Sequence, residues 1–224
     1  AVFVDMKTAS YKLVYDIHRK EALAESTIIF DMPVKGYPIF DLKADHSEVL
    51  INDQSVVVRK LTLGNGVTST KVIDLLLEKG EYTLKIKHIM DRFVIYSNTT
   101  KTVRSAFWMS DLSDRRYLEQ FLPTNFEFDQ IKMDLEIKIT GTDNEHEMFT
   151  NGEIQSLAKN HWLINYPEYF TASSIYFHLM EKGARTIVQF DYTSIDNRLI
   201  PVTLYGTSRL DSYKGGIKRF LREL

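Results

Sequence analysis

The pair His146-Glu147 opens the pattern H-E-x-x-H, in which two imidazoles four positions apart on one helix face hold zinc while the glutamate activates water. Position 150, where the second histidine belongs, is Thr150, and the pair lies in a polar, turn-like stretch from Gly141 to Glu147. The other histidines, His18, His46, His88, His161 and His178, are dispersed without ligand spacing and read as strand or surface residues. Gly206-Thr207-Ser208-Arg209-Leu210 begins like a nucleophile elbow, but Leu210 stands where glycine must let a helix approach its strand. Gly64-Asn65-Gly66-Val67-Thr68-Ser69 has Ser69 in place of the third glycine of a dinucleotide fingerprint and reads as a hairpin turn. The carboxylates Glu127, Asp129 and Asp134 could act as acid and base only if the fold set two of them at a working separation. Asn98-Thr99-Thr100 is a formal glycosylation acceptor, and Trp108 and Trp162 could stack on a sugar, although aromatic side chains in strands are usually core.

Composition narrows the chemistry further. The 224 residues include no cysteine, which excludes thiolate zinc sites, iron–sulfur clusters and thiol nucleophiles. Twenty-eight Lys and Arg against 30 Asp and Glu give a net charge of −2, and no basic block appears, so a nucleic-acid partner is not expected. Apolar runs such as Leu75-Leu76-Leu77 fall far short of the ~20 residues of a membrane helix. The expectation is a soluble chain without a membrane span, cytoplasmic or exported. It begins at Ala1, which hints that residues precede it in the natural polypeptide.

The elements that would position these residues are strands. From Ile131 to Thr140 apolar and polar residues alternate without a break, which predicts one buried face and one watered face bearing Lys132, Asp134, Glu136 and Lys138. Similar runs cover 11–17, 26–32, 55–61, 71–77, 82–88, 93–96, 175–180, 186–195 and 199–205, separated by turn signals such as Lys79-Gly80, Asn151-Gly152, Lys182-Gly183 and Asp196-Asn197. This layout predicts an all-β body of antiparallel hairpins and meanders. Two helices interrupt it. A short one over 114–122, with Ser113 or Asp114 as its cap, stops at Pro123. At the carboxyl end Leu210, Tyr213, Ile217, Phe220, Leu221 and Leu224 recur at helical spacing opposite Lys214, Lys218, Arg219 and Arg222. That amphipathic helix runs to the last residue with no terminating Gly or Asn, as if the polypeptide continued.

One ordered set of segments is more specific. Asp114-Arg115-Arg116-Tyr117-Leu118-Glu119-Gln120-Phe121-Leu122-Pro123 precedes the alternating strand, and Phe149-Thr150-Asn151-Gly152, Trp162 and the aromatic run Tyr169 to Leu179 follow it. This order resembles the amino-terminal domain of the aminopeptidase N and leukotriene A4 hydrolase-like zinc metallopeptidases, and Tyr11 to Ile17, Ser26 to Phe30 and Lys79 to Leu84 look like that family's early strands. In this chain Leu118 to Thr124 replaces the family's Phe-Pro-x-x-Asp-Glu-Pro, and the family's substrate-touching glutamine has no counterpart near Trp108, Met109 and Ser110.

The resemblance implies a saddle-shaped, mostly antiparallel, multi-sheet β domain over 1–207, with 208–224 beginning a helix that leads into a helical catalytic domain. Zinc and its ligands would belong to that following domain, none being expected in this chain. The implied role is to pack on the catalytic domain and wall the cleft for a peptide substrate, with Glu119 and Gln120 as cleft-edge residues and no catalytic or metal-binding residue here. A different class of function, a stand-alone β-sandwich module that binds carbohydrate or protein through exposed aromatics, is the alternative reading. A hydrolase working through scattered carboxylates is a third.

Overall fold

The computed structural model describes residues 1–63, 66–90, 92–107, 118–125, 129–206 and 210–223. They divide into two compact units, Ala1–Met180 and Glu181–Leu224. The first is built on an eight-stranded sheet in the order β14 (Glu153–Ala158), β15 (His161–Asn165), β12 (Lys132–Thr140), β2 (Asp5–Asp16), β3 (Glu21–Met32), β9 (Gly80–Ile89), β5 (His46–Ile51) and β6 (Gln54–Ser55). One four-stranded sheet contains β1 (Val2–Phe3), β4 (Pro38–Asp41), β8 (Gly66–Ile73) and β7 (Val58–Leu63) in that order, and another β10 (Val94–Ser97), β11 (Thr102–Phe107), β16 (Phe177–Glu181) and β13 (His146–Thr150). The second unit is a hairpin of β17 (Thr186–Thr193) and β18 (Leu199–Gly206), followed by the helix α1 (Leu210–Glu223).

The all-β expectation holds, as does the carboxyl-terminal helix. The short helix expected over 114–122 is, in its described part, a single 3-10 turn at Leu118–Gln120, closed by Phe121 N–H donating to Leu118 O at 2.9 Å; residues 114–117 and the cap lie outside the described residues. Most strand pairs are antiparallel. Among the described pairings, β1 lies parallel to β4, and β2 parallel to β12 in register from Thr8 against Lys132 to Asp16 against Thr140. Parallel neighbours need a long connection, and here more than a hundred residues intervene between the two strands.

Alternation decides which side chains fill the core. Along β12, Met133, Leu135, Ile137 and Ile139 are buried while Lys132 and Lys138 are exposed. Each such side chain contributes roughly 1.5–3 kcal/mol by leaving water. Along β2 and the residue before it the buried positions change parity, from Val4 and Met6 to Ala9, Tyr11, Leu13 and Tyr15. The register against β3 slips between Met6 and Thr8, and this one-residue bulge keeps both sets facing inward. These residues join Ile28 and Phe30 of β3, Leu84 and Ile86 of β9, Phe40 of β4, Phe107 of β11 and Phe177 of β16 in one core cluster. The cluster spans all three sheets of the first unit.

Three polar side chains on the inner face of the large sheet find partners across the core. Tyr11 Oη–H donates to Pro123 O at 2.8 Å, Tyr15 Oη–H to Ser105 Oγ at 2.9 Å, and His88 Nε2–H to Phe121 O at 2.7 Å. Buried hydroxyls and imidazoles without partners would destabilise the fold, so these bonds also fix how the layers meet.

Candidate functional site

The segment Leu118 to Asn125 carries the sequence-predicted site residues, and it is held from every side. The backbone of Thr124 pairs with Asp41, the two N–H···O bonds being 2.8 and 2.9 Å, and so the segment continues the sheet of β4. Lys43 N–H donates to Glu119 O at 2.7 Å. Beneath the turn, the Phe121 ring lies 4.4 Å from that of Phe107, which meets Phe177 edge-on at 4.2 Å.

Glu119 and Gln120 are thereby drawn inward, at 8% and 6% exposure. The Glu119 carboxylate accepts a hydrogen bond from Ser69 Oγ at 3.1 Å. Asp41, also buried, accepts one from Thr70 Oγ1 at 2.6 Å. Next to them on β8, Lys71 is 1% exposed, and its ammonium donates to Leu42 O at 2.6 Å and to Ala44 O. Burial, reinforced by the charge of Lys60 and opposed by Asp45, pushes its pKa down to about 8. Burial and the Lys71 charge likewise lower the pKa of His46. These groups tie the 42–46 segment and the turn to the sheet; the hydrogen bonds described go to backbone carbonyls, serine and threonine, as in a structural network.

The chemistry-bearing motifs are taken apart by the fold. His146 and Glu147 are successive residues of strand β13, so their side chains leave on opposite faces. His146 Nε2 accepts the Val103 N–H at 3.1 Å, and its Nδ1–H donates to Asn144 O at 3.1 Å, which fixes a neutral tautomer that joins β13 to β11. His161 Nε2–H donates to Glu136 Oε1 at 2.8 Å on the outer face of the large sheet, where Lys12 lies 3.5 Å from the same oxygen. Burial would raise the Glu136 pKa, but these two contacts outweigh it and lower it. Asp134 accepts from Ser10 Oγ at 2.6 Å, and Asp129 is raised by burial and by Asp5. Among the described residues no group of three or more His, Asp or Glu side chains is arranged to hold a metal ion.

The Asn151-Gly152 turn does have a defined role. Asn151 Nδ2–H donates to Ser174 O at 2.7 Å while its Oδ1 accepts the Tyr176 N–H at 2.9 Å, so one amide acts as a strand neighbour for the 174–176 segment. Gly152 comes so close to β15 that a Cβ there would meet Ile164 Cγ2 at 2.5 Å. Trp162 is core rather than a sugar platform, and Asn98 lies in the exposed turn between β10 and β11. Trp108, Met109, Ser110, Glu127, Gly64, Asn65 and the 207–209 part of the elbow-like motif lie outside the described residues. Sequence reasoning missed Lys71, because a lysine in the alternating run 71–77 carries no mark of burial.

One hollow, of about 510 Å³, is lined by His18, Lys101 and Gly141 to Asn144; another, of about 250 Å³, lies beside Trp162, His146 and Asn160. Neither sets a nucleophile against a base. No helix among the described residues is long and apolar enough to cross a membrane.

No protein-family model matches the sequence, and no curated protein matches it. Solved structures do. The M1 zinc metallopeptidase from Deinococcus radiodurans superposes with a TM-score of 0.59 at 12% identity, over 98% of this chain and 52% of that one. Native leukotriene A4 hydrolase from Saccharomyces cerevisiae gives 0.57 at 13% identity, over 83% of this chain and 30% of its own. Legionella pneumophila aminopeptidase A in complex with aspartic acid gives 0.55 at 10% identity, over 92% and 24%. The chain thus spans from about a quarter to about half of these structures, consistent with the amino-terminal domain that its motifs resemble. Identities this low establish fold alone: the chain has the β architecture that zinc aminopeptidases and leukotriene A4 hydrolase carry in a fraction of their length.

Proposed function

We propose that this chain is the non-catalytic amino-terminal β domain of a zinc aminopeptidase-like protein, and that it packs on a helical catalytic domain and walls the cleft for a peptide substrate. The observation that carries the reading is the superposition over 98% of this chain on 52% of a zinc metallopeptidase. In this reading residues 1–207 form the β domain and 208–224 begin the helix leading into the catalytic domain, where zinc and its ligands reside. Water attack on the peptide bond, assisted by that metal, belongs to the other domain. Glu119 and Gln120 shape the cleft edge from within, through the turn they anchor, since both side chains are drawn inward. The test is hydrolysis of aminoacyl anilides by the native gene product and by the 224-residue chain. Turnover by the native product alone supports the proposal; turnover by the 224-residue chain, or by neither, overturns it.

A further inference from the structure

The outermost strand of a sheet turns backbone donors and acceptors toward whatever lies beside it, and proteins guard such edges with short strands, positive charge, proline or bulges. Several strands at sheet ends in the first unit carry those guards: β1 and β6 are two residues long, β10 is four, and β7 holds Arg59 and Lys60. The edge strand β14 differs. All six of its residues, Glu153 to Ala158, are exposed, and none is Lys, Arg or Pro. Among the described residues β15 is its one strand neighbour, and its register slip falls beyond Ser156, which leaves Glu153 to Ser156 regular.

The side chains of this edge fall into two sets. Ile154 lies across from the buried Ile164, and Ser156 across from Trp162, so both belong to the core side of the sheet. Glu153 and Gln155, across from Asn165 and Leu163, belong to the outer side. Although it stands next to core, Ile154 is 42% exposed. Two residues on, Ser156 borders the hollow of about 250 Å³ that Trp162, His146 and Ala158 also line. One strand therefore carries an apolar knob and, beside it on the same face, a small side chain at the mouth of a recess.

A second copy running antiparallel, with a two-fold axis at Gln155, matches the knob to the recess. That register sets Ile154 of each copy across from the partner's Ser156, Gln155 across from the partner's Gln155, and Glu153 across from the partner's Leu157. Each Ile154 then meets the recess beside the partner's Trp162, and the acidic start of each strand runs toward the Lys159 that follows the partner's last strand residue. A slip of one residue would oppose core-side to outer-side positions, so the pleat itself selects this register over its neighbours. We infer that β14 is a self-pairing edge through which two copies of this chain join their eight-stranded sheets across a two-fold axis. The inference goes beyond the proposed function, and each can fail without the other.

Sedimentation velocity of the 224-residue chain at concentrations up to about 1 mM tests it, since a strand-edge contact is small and its dimer correspondingly weak. A monomer–dimer equilibrium is expected, which Ile154→Lys weakens at least about tenfold and Lys138→Ala, on the outer face of the same sheet, leaves unchanged. Because the chain has no cysteine, single cysteines then report the register. Gln155→Cys faces its own copy at a Cα separation of about 4.5–5.5 Å, within reach of a disulfide, and oxidises to a covalent dimer at least about tenfold faster than Glu153→Cys does alone. Glu153→Cys mixed with Leu157→Cys yields the crossed dimer. A chain that stays monomeric throughout, a dimer indifferent to Ile154→Lys, or equal oxidation rates at positions 153 and 155 overturns the inference.

Discussion

Replacing Lys71 with methionine isolates the least ordinary group in the first unit. An ammonium that is 1% exposed and held by backbone carbonyls rather than a carboxylate has lost hydration that two carbonyls only partly replace. Its pKa falls from 10.5 to about 8, so between those values the unfolded chain binds more protons than the folded one. Stability therefore rises with pH through that window. The whole shift corresponds to about 3 kcal/mol, of which about 1 kcal/mol is gained between pH 7 and pH 9. For a chain of this size that raises the melting temperature by roughly 2–4 °C. Above about pH 9.5 the trend reverses, because burial holds the Tyr11, Tyr15, Tyr96 and Tyr166 hydroxyls protonated in the folded state while they ionise in the unfolded one. Thermal melts followed by circular dichroism from pH 7 to pH 9 measure the slope. Lys71→Met flattens it, whatever the net effect at pH 7, where relief of the buried charge is opposed by the two orphaned carbonyls. A wild-type slope of zero between pH 7 and pH 9, or an unchanged slope in the variant, refutes the reasoning.

Ile137→Ala, at a fully buried position in the middle of β12, lowers unfolding free energy by about 2–5 kcal/mol in urea titrations, whereas Lys138→Ala on the exposed face stays within about 0.5 kcal/mol. Tyr15→Phe leaves Ser105 Oγ without its donor across the core and lowers stability by about 1–3 kcal/mol, a loss that the added Ser105→Ala recovers in part. Gly141→Ala is destabilising by more than about 1 kcal/mol because φ is +77° and the new Cβ would stand 2.6 Å from His18 Cδ2; in the His18→Ala background the loss shrinks to the backbone part.

How much of this could be read from the sequence depends on whether a segment has one face or two. The run 131–140 alternates because only one face is buried, and its strand and its inward set follow directly. Pro38–Asp41 is buried on both faces and so offers no alternation, and Thr102–Phe107 is nearly so; neither is marked as a strand by its pattern. Nor does any local pattern disclose that β2 lies parallel to β12, since that pairing is chosen by the three-dimensional fit of distant segments. At the candidate site, the Asn151-Gly152 turn was legible as a turn, but its clamp on Ser174 and Tyr176 depends on a partner more than twenty residues away. Glu119 and Gln120, cleft-edge residues in the resemblance, carry no mark of burial in a segment that reads as a short helix, and backbone pairing of the neighbouring Thr124 with Asp41 accompanies their inward placement. The failure of H-E-x-x-H was visible in Thr150, and the strand geometry of β13 gives the same answer independently.

Zinc stoichiometry, measured by mass spectrometry on metal-equilibrated and dialysed protein, tests the central claim that this chain is the β wall of a metallopeptidase-like protein whose chemistry lies elsewhere. The account predicts about one zinc per molecule of the native gene product and none held by the 224-residue chain. Stoichiometric, dialysis-resistant zinc on the 224-residue chain contradicts it.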